Sequence, residues 1–345
     1  MVLILAWAGR NAATTLAARN MQVDFGFLAN PAGFDIPFRV VPWSASDSYG
    51  YALLVASLNT ALAAAVAIVL ASVLGLVIAL MRLSANPLAA ALARGGTELV
   101  RNTPQLLQIV FWYIAVLQVL PAARASLSLG GAVFLNVRGL FMPAPETPAF
   151  AICFGLGVAS AVILPRLLPR ASVLLGAGSL VVLVTAGALL SRWELPALRG
   201  FNFQGGWRLP PELLALVVGI GIYTSAFIAE NIRASIRAVP PGQREAARSL
   251  GLSPGRTMRL VVLPQALRTL LPPLASHYLN IINSTTLGAA IAYPEVLQIF
   301  ARTVLNQSGR AVETMTLVLG VFLAINLVVS ALIGRWDRRL QRDAR

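Results

Sequence analysis

Residues 245–264 read EAARSLGLSPGRTMRLVVLP. This stretch is the most informative part of the sequence, because it is strongly basic in a chain that is 57% hydrophobic. Only 12% of all residues are charged, so a basic stretch between two apolar runs must lie outside the lipid. We call residues 245–264 the EAA segment. Its position predicts a surface that faces water or a partner protein.

The local sequence of the EAA segment predicts a helix, a sharp turn and a second helix. Pro241 and Gly242 can open the first helix, which places Glu245 in the first turn, where a carboxylate complements the helix dipole. Gly251 suits a left-handed residue that ends this helix. Ser253 and the following proline suit the N-cap and first position of the second helix. The alternative is an ordinary basic loop that only sets membrane topology.

The composition predicts an all-α, polytopic helical membrane protein. Mean hydropathy is +0.76, and several apolar runs are about twenty residues long, the length that crosses a bilayer as a helix. The net charge of +14 comes from arginine alone, because the chain contains no lysine. In a membrane protein the positive-inside rule explains such a balance better than nucleic acid does. We therefore expect contact with membrane lipid and no nucleic-acid partner.

Single residues exclude several kinds of site. Cys153 is the only cysteine and His277 the only histidine, so neither a disulfide framework nor a multi-histidine metal site can form within the chain, and we expect no bound metal. A Walker A loop requires a lysine. If ATP drives this system, we expect ATP and magnesium to bind to another subunit, and we expect this chain not to be an enzyme.

Hydropathy and helix breaks predict about eight transmembrane helices. Seven are clear, and residues 2–16 make a possible first span. Arginine counting places the EAA segment and, with eight spans, both termini in the cytoplasm. The seven clear spans are predicted over residues 51–81, 98–120, 149–164, 172–191, 211–232, 270–293 and 312–333.

The fixed positions of the EAA segment resemble the EAA loop of the membrane subunits of bacterial binding-protein-dependent ABC importers. In that family the loop forms a cytoplasmic coupling helix that docks on the ATPase subunit. The resemblance implies a type I ABC importer transmembrane fold and a bacterial inner-membrane location. The matching positions are Glu245, Ala246, Ala247, Gly251, Leu263 and Pro264.

A second motif, ELVRNTPQLLQ over residues 98–108, is similar to a segment of permeases for polar amino acids, the histidine, glutamate and glutamine branch of the same superfamily. From the residues alone, a plain helix start is the alternative, with Arg101 reaching toward the interface. Residues 225–293 look closest to general L-amino-acid permease subunits. The residues of the second motif are Glu98, Arg101, Asn102, Pro104, Gln105 and Gln108.

The resemblance also implies the domain organisation and the partners. Residues 1–47 hold the possible first span and a periplasmic stretch, residues 48–333 form the permease domain, and residues 334–345 form a basic cytoplasmic tail. Within the permease domain, residues 149–192 are expected to be an inserted helix pair and residues 233–268 the cytoplasmic coupling loop. The implied partners are a cytoplasmic ATPase, a second and different permease chain, and a periplasmic amino-acid-binding protein.

Polar residues after the EAA segment predict a translocation path, and the resemblance implies that transport occurs by alternating access. At about 100° per residue, three of them fall on one face of a helix, at a depth where polar groups face protein or water. The alternative is hydrogen bonding between helices at the interface of two permease subunits. The path residues are His277, Asn280, Asn283, Ser284 and Thr285.

Other functions were weighed against transport by an ABC permease. Residues 251–255 match the G-x-S-x-G pattern of a nucleophile elbow but lack the preceding strand, so we interpret the match as coincidence. An intramembrane enzyme could pair His277 with Ser276 or Ser284, but adjacent residues point to different faces of a helix. An ion-coupled secondary transporter would require inverted repeats and buried acidic ligands. A permease for another small polar solute remains an alternative.

Overall fold

The computed structural model describes residues 7, 10, 11, 23–167 and 172–342. The possible first span over residues 2–16 falls almost entirely outside the described residues, as do the last three residues of the tail. The chain divides into two compact units, one made of residues 1–112 and 215–345 and the other of residues 113–214. Each unit is described separately.

The α-helices, in chain order within the described residues, are α1 (Tyr49–Leu83), α2 (Pro87–Asn102), α3 (Gln105–Val110), α4 (Ala149–Leu167), α5 (Ser172–Leu190), α6 (Pro211–Arg237), α7 (Pro241–Ser249), α8 (Pro254–Thr257), α9 (Leu263–Ser284), α10 (Leu305–Ser308) and α11 (Ala311–Arg342). Helical segments of other types are the π-helices Phe111–Leu117, Met258–Val262 and Leu297–Val304 and the 3-10 helices Gly26–Ala29, Ala123–Ala125 and Thr285–Ile291.

In the first unit, the long helix α1 packs closely against α6. The Ser48 side chain caps α1 by accepting a hydrogen bond from the Tyr51 amide at 3.3 Å. A Cβ at Gly75 would lie 2.7 Å from Ile228 of α6, so only glycine allows this approach. Small residues at helix contacts are the usual means of packing helices in membranes. The α1–α6 contact therefore forms the frame that carries the EAA segment.

The second unit contains short strands that the sequence analysis did not predict. Strands β1 (Leu127–Leu129), β2 (Val133–Asn136), β3 (Gly139–Met142) and β8 (Trp207–Leu209) form an antiparallel sheet in that order. Two further antiparallel pairs are β4 (Ala144–Pro145) with β5 (Trp193–Glu194) and β6 (Ala197–Arg199) with β7 (Asn202–Gln204). Phe134, Phe141 and Phe203 pack together beside these strands. The helical fold class is confirmed, with this small sheet added to it.

Helices α4 and α5 confirm the helix pair predicted within residues 149–192. They pack on each other through small residues, since a Cβ at Gly187 would lie 2.7 Å from Cys153. The Ser160 and Ser179 hydroxyls also hydrogen-bond across the pair at 2.9 Å. That the pair is an insertion remains a prediction.

The predicted number of eight spans is not confirmed. Within the described residues, three helices are long and apolar enough to cross a membrane: Tyr49–Leu83, Pro211–Arg237 and Ala311–Arg335. Shorter apolar helices are Gln105–Leu117, Ala149–Ala161 and Gly178–Leu190.

Two predicted spans have different boundaries in the structure. The span predicted over residues 98–120 is interrupted at Thr103 and Pro104, because proline lacks the N–H that would continue the helix. The span predicted over residues 270–293 begins earlier, at Leu263, and becomes a 3-10 helix from Thr285.

Candidate coupling segment and translocation face

The turn of the EAA segment has the backbone conformation that the sequence predicts. Gly251 has φ = 76°, in the left-handed region that favours glycine. Its amide donates to the Arg248 carbonyl at 2.9 Å, and the Leu252 amide donates to the Ala247 carbonyl at 3.1 Å. This pair of bonds is the Schellman motif, which satisfies the last carbonyls of α7. A Cβ at Gly251 would meet no atom within 4 Å, so the backbone conformation alone disfavours other residues.

One face of α7 is exposed and presents an acidic, a small and a large apolar side chain. Glu245 and Ala246 are exposed, Ala247 is buried, and Leu250 is 82% exposed. Ala246 and Leu250 are one turn apart, so a small side chain lies beside a large apolar one on the same face. The expectation that Glu245 lies in the first turn is wrong, because α7 begins at Pro241 and Glu245 is its fifth residue.

The EAA segment is held to the helices that flank it. Arg244 donates to the Ile236 carbonyl, near the end of α6, at 2.7 Å. Behind α7, a buried apolar cluster joins the end of α6 to the start of α9. Leu83 at the end of α1 packs against this cluster. Two residues of the EAA segment at the start of α9, Leu263 and Pro264, are exposed. The buried members of the cluster are Ile236, Val239, Val262 and Ala266.

An ion-paired group joins α1 to α6 next to this apolar cluster. Arg82 lies 2.6 Å from one oxygen of Glu230, and Arg233 contacts both oxygens of the same carboxylate. The three side chains are 13% to 24% exposed, so water screens the charges only partly. We call Arg82, Glu230 and Arg233 the Arg82 cluster. Movement of α6 relative to α1 would have to stretch or break these ion pairs.

The motif over residues 98–108 surrounds the break between α2 and α3. Gln108 is buried, and its amide donates to the Val100 carbonyl at 2.9 Å and to the Thr103 carbonyl at 3.2 Å. These carbonyls lose their helical partners where Pro104 interrupts the hydrogen-bond ladder. Gln108 thus stabilises the break. The motif therefore marks the end of one helix and the start of the next, rather than the beginning of a span.

Two other residues of this motif contact neighbouring helices. Ser284 of α9 donates to the Gln105 side-chain oxygen at 3.1 Å. The Arg101 guanidinium lies 5.0 Å from the centre of the Phe227 ring on α6, a cation–π contact. Glu98 and Asn102 are exposed.

The predicted path residues have different surroundings. His277 hydrogen-bonds Asn231 of α6 at 2.7 Å, and Asn283 accepts from Asn326 of α11 at 2.9 Å. Asn280 is exposed, whereas Thr285 is fully buried and donates to the Ile282 carbonyl of its own helix. The contacts of His277, Asn283 and Ser284 are those of interhelical hydrogen bonds. That Asn280 lines a path remains a prediction.

Two exposed polar residues of α9 were missed. Thr269 and Ser276 lie on the same face as Asn280 and Asn283, and all four are exposed. The spacing of seven and four residues between Thr269, Ser276 and Asn280 would have shown this face in the sequence. A continuous polar face suits an aqueous path better than lipid does. Within the described residues, no group of three or more acidic, histidine or cysteine side chains could hold a metal ion.

These features together define a class of protein: a helical membrane protein with an exposed helix–turn–helix between α6 and α9. The family follows from a match that covers most of the chain. Residues 71–342 match the family described as the binding-protein-dependent transport system inner membrane component, and the chain belongs to that family.

Relatives match this chain over nearly its whole length. The permease protein YhdX of Escherichia coli, named for amino-acid ABC transport, is 45% identical over 98% of this chain and 90% of its own. The general L-amino acid transport system permease protein AapQ of Rhizobium johnstonii is 37% identical over 97% of this chain and 88% of its own. The glutamate/glutamine/aspartate/asparagine transport system permease protein BztB of Rhodobacter capsulatus is 32% identical, over 99% and 91%.

Solved structures share the fold at lower identity. A crystal structure of an amino acid ABC transporter with histidines superposes with a TM-score of 0.54 at 22% identity, covering 84% of this chain and 95% of that one. An inward-facing MetNI methionine ABC transporter has a TM-score of 0.51 at 15% identity, covering 84% and 96%.

Proposed function

We propose that this chain is a permease subunit of an ATP-driven, binding-protein-dependent importer that moves polar and general L-amino acids across the bacterial inner membrane. The single observation that carries the substrate class is that relatives named for amino-acid transport match more than nine-tenths of this chain. The membrane helices and the exposed EAA segment are consistent with such a subunit.

The EAA segment is the proposed contact with a cytoplasmic ATPase. The exposed face of Glu245, Ala246 and Leu250 offers a carboxylate, a small residue that permits close approach, and an apolar side chain. Leu250 is 82% exposed, so its apolar side chain is accessible to a groove on the partner. The Gly251 turn orients this face, while Leu263 and Pro264 lie at the start of the helix that follows.

The Arg82 cluster and the buried cluster behind α7 are proposed to transmit the movement. Arg244 ties the EAA segment to α6, and Glu230 ties α6 to α1. A displacement imposed on α7 would therefore reach both membrane helices rather than being lost in a flexible loop. Within the described residues, the Arg82 cluster and the buried apolar cluster connect the EAA segment to α1.

The remaining partners follow from the same proposal. A periplasmic binding protein would deliver the amino acid, and a second, different permease chain would complete the pore. ATP and magnesium would bind only to the ATPase. The exposed polar face of α9, with Ser276, Asn280 and Asn283, is the proposed wall of the path.

The docking role can be tested by association with the ATPase. Glu245→Lys reverses the charge on the exposed face, and we expect it to reduce recovery of the ATPase with the purified membrane complex. Gln243→Lys, on another exposed position of the same helix, is the matched control and should retain the ATPase. Unchanged recovery with Glu245→Lys would count against docking at this face.

The substrate class is tested separately, by uptake of labelled L-amino acids into proteoliposomes that hold the complete importer and its binding protein. We expect uptake of labelled L-glutamine that other polar L-amino acids reduce by competition. Stimulated ATP hydrolysis without uptake of any L-amino acid would favour an importer for another polar solute.

A further inference from the structure

Arg101 places a positive charge at membrane depth rather than at the surface. Its guanidinium lies over the ring of Phe227, which is ten residues before α6 ends at Arg237. The span predicted over residues 211–232 ends five residues after Phe227, about 7.5 Å along the axis. Arg101 is nevertheless an exposed residue. A charged group at this depth is costly unless it faces water or a counter-ion, and such residues commonly mark a substrate pathway.

The faces of α2 indicate that Arg101 points away from lipid. Leu88, Leu92 and Leu99 are each more than 60% exposed and fall on one side of the helix, as expected for a lipid-facing stripe. Arg101 is two residues after Leu99, which is about 200° around the helix. The arginine is therefore nearly opposite the apolar stripe, and it contacts α6.

Neither Glu98, one turn earlier on α2, nor Glu230 forms an ion pair with Arg101 in the part of the chain that the structure describes. Glu230, one turn along α6 from Phe227, is paired with Arg82 and Arg233. Arg101 forms no ion pair within 4.0 Å among the described residues. Its guanidinium hydrogen atoms are therefore available to an acceptor that the described residues do not supply.

A second hydrogen-bond donor without an acceptor lies on the other side of the helix break. The Gln105 side-chain nitrogen is buried and has no partner among the described residues, although its oxygen accepts from Ser284. On α9, His277 contacts the Phe227 ring and Ser284 lies two turns further, about 10 Å along the axis. The face of α9 beside these donors carries the exposed Asn280. Arg101 and the Gln105 side-chain nitrogen are thus two donors without a partner among the described residues, and a carboxylate is a group that could accept from both.

We propose that Arg101 binds the carboxylate of the amino acid as it passes through the membrane, with Phe227 holding the guanidinium in place and Gln105 providing the next donor along the path. This inference rests on the proposed importer function. Recognition through the α-carboxylate suits a permease for many amino acids, because all of them carry that group. Arginine can bind it through two parallel hydrogen bonds.

The test uses the complete importer in proteoliposomes, with saturating binding protein and labelled L-glutamine as the probe. Uptake and ATP hydrolysis are measured together for the wild type, Arg101→Gln, Arg101→Lys and Arg94→Gln. Arg94 is two turns earlier on the same helix and is also exposed, so its variant is the matched control.

We expect Arg101→Gln to lower uptake about tenfold or more, since a charge-assisted hydrogen bond contributes about 1.5–3 kcal/mol. ATP hydrolysis stimulated by the loaded binding protein should stay within about twofold of the wild type, because the coupling segment is intact. Arg101→Lys should recover part of the uptake, because it keeps the charge but not the two parallel bonds. Arg94→Gln should behave as the wild type.

Three outcomes would overturn the inference. Uptake by Arg101→Gln within about twofold of the wild type would show that the carboxylate does not depend on this charge. An equal loss of uptake and ATP hydrolysis in both Arg101 variants would indicate a structural role. Release of the second permease chain from the Arg101→Gln complex would show that the arginine pairs with a partner's carboxylate. If the wild type takes up no amino acid, the proposed function itself fails; loss confined to the Arg101 variants leaves that function standing.

Discussion

Two polar clusters contact α1, and they hold its two halves in different ways. The Arg82 cluster, near the end of α1, consists of three charged side chains that remain 13% to 24% exposed. The second cluster, around Asn59 in the first half of α1, is fully buried and relies on hydrogen bonds to the backbone. We call Asn59, Thr60, Tyr293 and Glu295 the Asn59 cluster.

The Asn59 cluster connects three separate parts of the chain. The Asn59 side-chain amide donates to the Phe38 carbonyl and to the Pro294 carbonyl, each at 2.9 Å. The Tyr293 hydroxyl donates to the Asn59 carbonyl at 2.9 Å. The Val296 amide donates to the Thr60 hydroxyl at 3.2 Å. Because each bond satisfies a backbone group, a sliding movement would leave several buried groups unpaired.

Glu295 belongs to this cluster and stabilises the start of the next helical segment. Its carboxyl oxygens accept hydrogen bonds from the Leu297 and Gln298 amides at 2.7 and 2.6 Å. Burial raises the pKa of Glu295 from 4.5 to about 8, although both hydrogen bonds act in the opposite direction. The carboxyl group is therefore mainly protonated at neutral pH.

The difference between the clusters assigns them different mechanical roles. Backbone hydrogen bonds in a dry environment are directional and costly to break, so the Asn59 cluster fixes one half of α1. Ion pairs that stay partly hydrated can lengthen and re-form at lower cost, so the Arg82 cluster can act as a joint. Substitutions in the Asn59 cluster should therefore reduce stability, and those near the EAA segment should reduce coupling.

The largest expected effect is on stability, from Asn59→Leu. This change leaves the buried Pro294 carbonyl and the partly buried Phe38 carbonyl without their donor, and we expect a loss of about 3 kcal/mol in the free energy of unfolding. Thermal unfolding of the purified complex measures it. Ser57→Ala, which removes a hydroxyl bonded only within α1, is the control and should change little. An equal effect of both variants would show that the cluster does not anchor α1.

Gly251→Val should have the next largest effect, and it should act on transport. A β-branched residue at φ = 76° carries strain of about 1–3 kcal/mol, which corresponds to about a fivefold to hundredfold loss of the native turn. We expect uptake to fall accordingly while the protein remains inserted. Gly255→Val is the control, because Gly255 has open space and no positive φ. Normal uptake by Gly251→Val would show that the turn does not transmit the movement.

Glu230→Gln should lower uptake per ATP hydrolysed several-fold, with a smaller effect on stability than Asn59→Leu. The change leaves Arg82 and Arg233 without their shared counter-ion, and partial hydration limits the cost to about 1–2 kcal/mol. Asp35→Asn, which breaks the exposed Arg39 pair, is the control and should be neutral. A large loss of stability with full coupling would make the Arg82 cluster an anchor like the Asn59 cluster.

The smallest expected effect is the change in stability per pH unit that arises from Glu295. Since the folded pKa is raised to about 8, the unfolded chain releases this proton at lower pH than the folded chain does. The stabilisation that Glu295 contributes should therefore be fully present below pH 4.5 and be lost toward pH 8, by up to about 1.4 kcal/mol per pH unit. Melting temperatures of the wild type and Glu295→Gln between pH 6 and 7 measure this contribution. Equal slopes would mean that Glu295 is ionised in the folded protein.

Features that depend on neighbouring residues could be predicted from the sequence. Gly251 and Pro254 favour particular backbone conformations at their own positions. The turn and the second helix of the EAA segment could therefore be predicted from composition and spacing. Long apolar runs likewise predicted α1, α6 and α11. The EAA segment was therefore the most predictable part of the candidate site.

Features that depend on distant partners could not be predicted. Asn59 contacts Pro294 across 235 residues, and nothing near Asn59 in the sequence signals that contact. The helix break at Pro104 falls inside the span predicted over residues 98–120, and the role of Gln108 depends on carbonyls that lose their helical partner only when the break forms. The strands of the second unit have two to four residues each, too few for a clear alternation.

The central claim is that this chain receives its energy from an ATPase through the EAA segment. Uptake of a labelled L-amino acid into proteoliposomes that contain the importer tests it most directly. We predict that uptake requires ATP and the partner ATPase and is unchanged by proton and sodium ionophores. Uptake driven by an ion gradient through this chain alone, without the ATPase, would contradict the account.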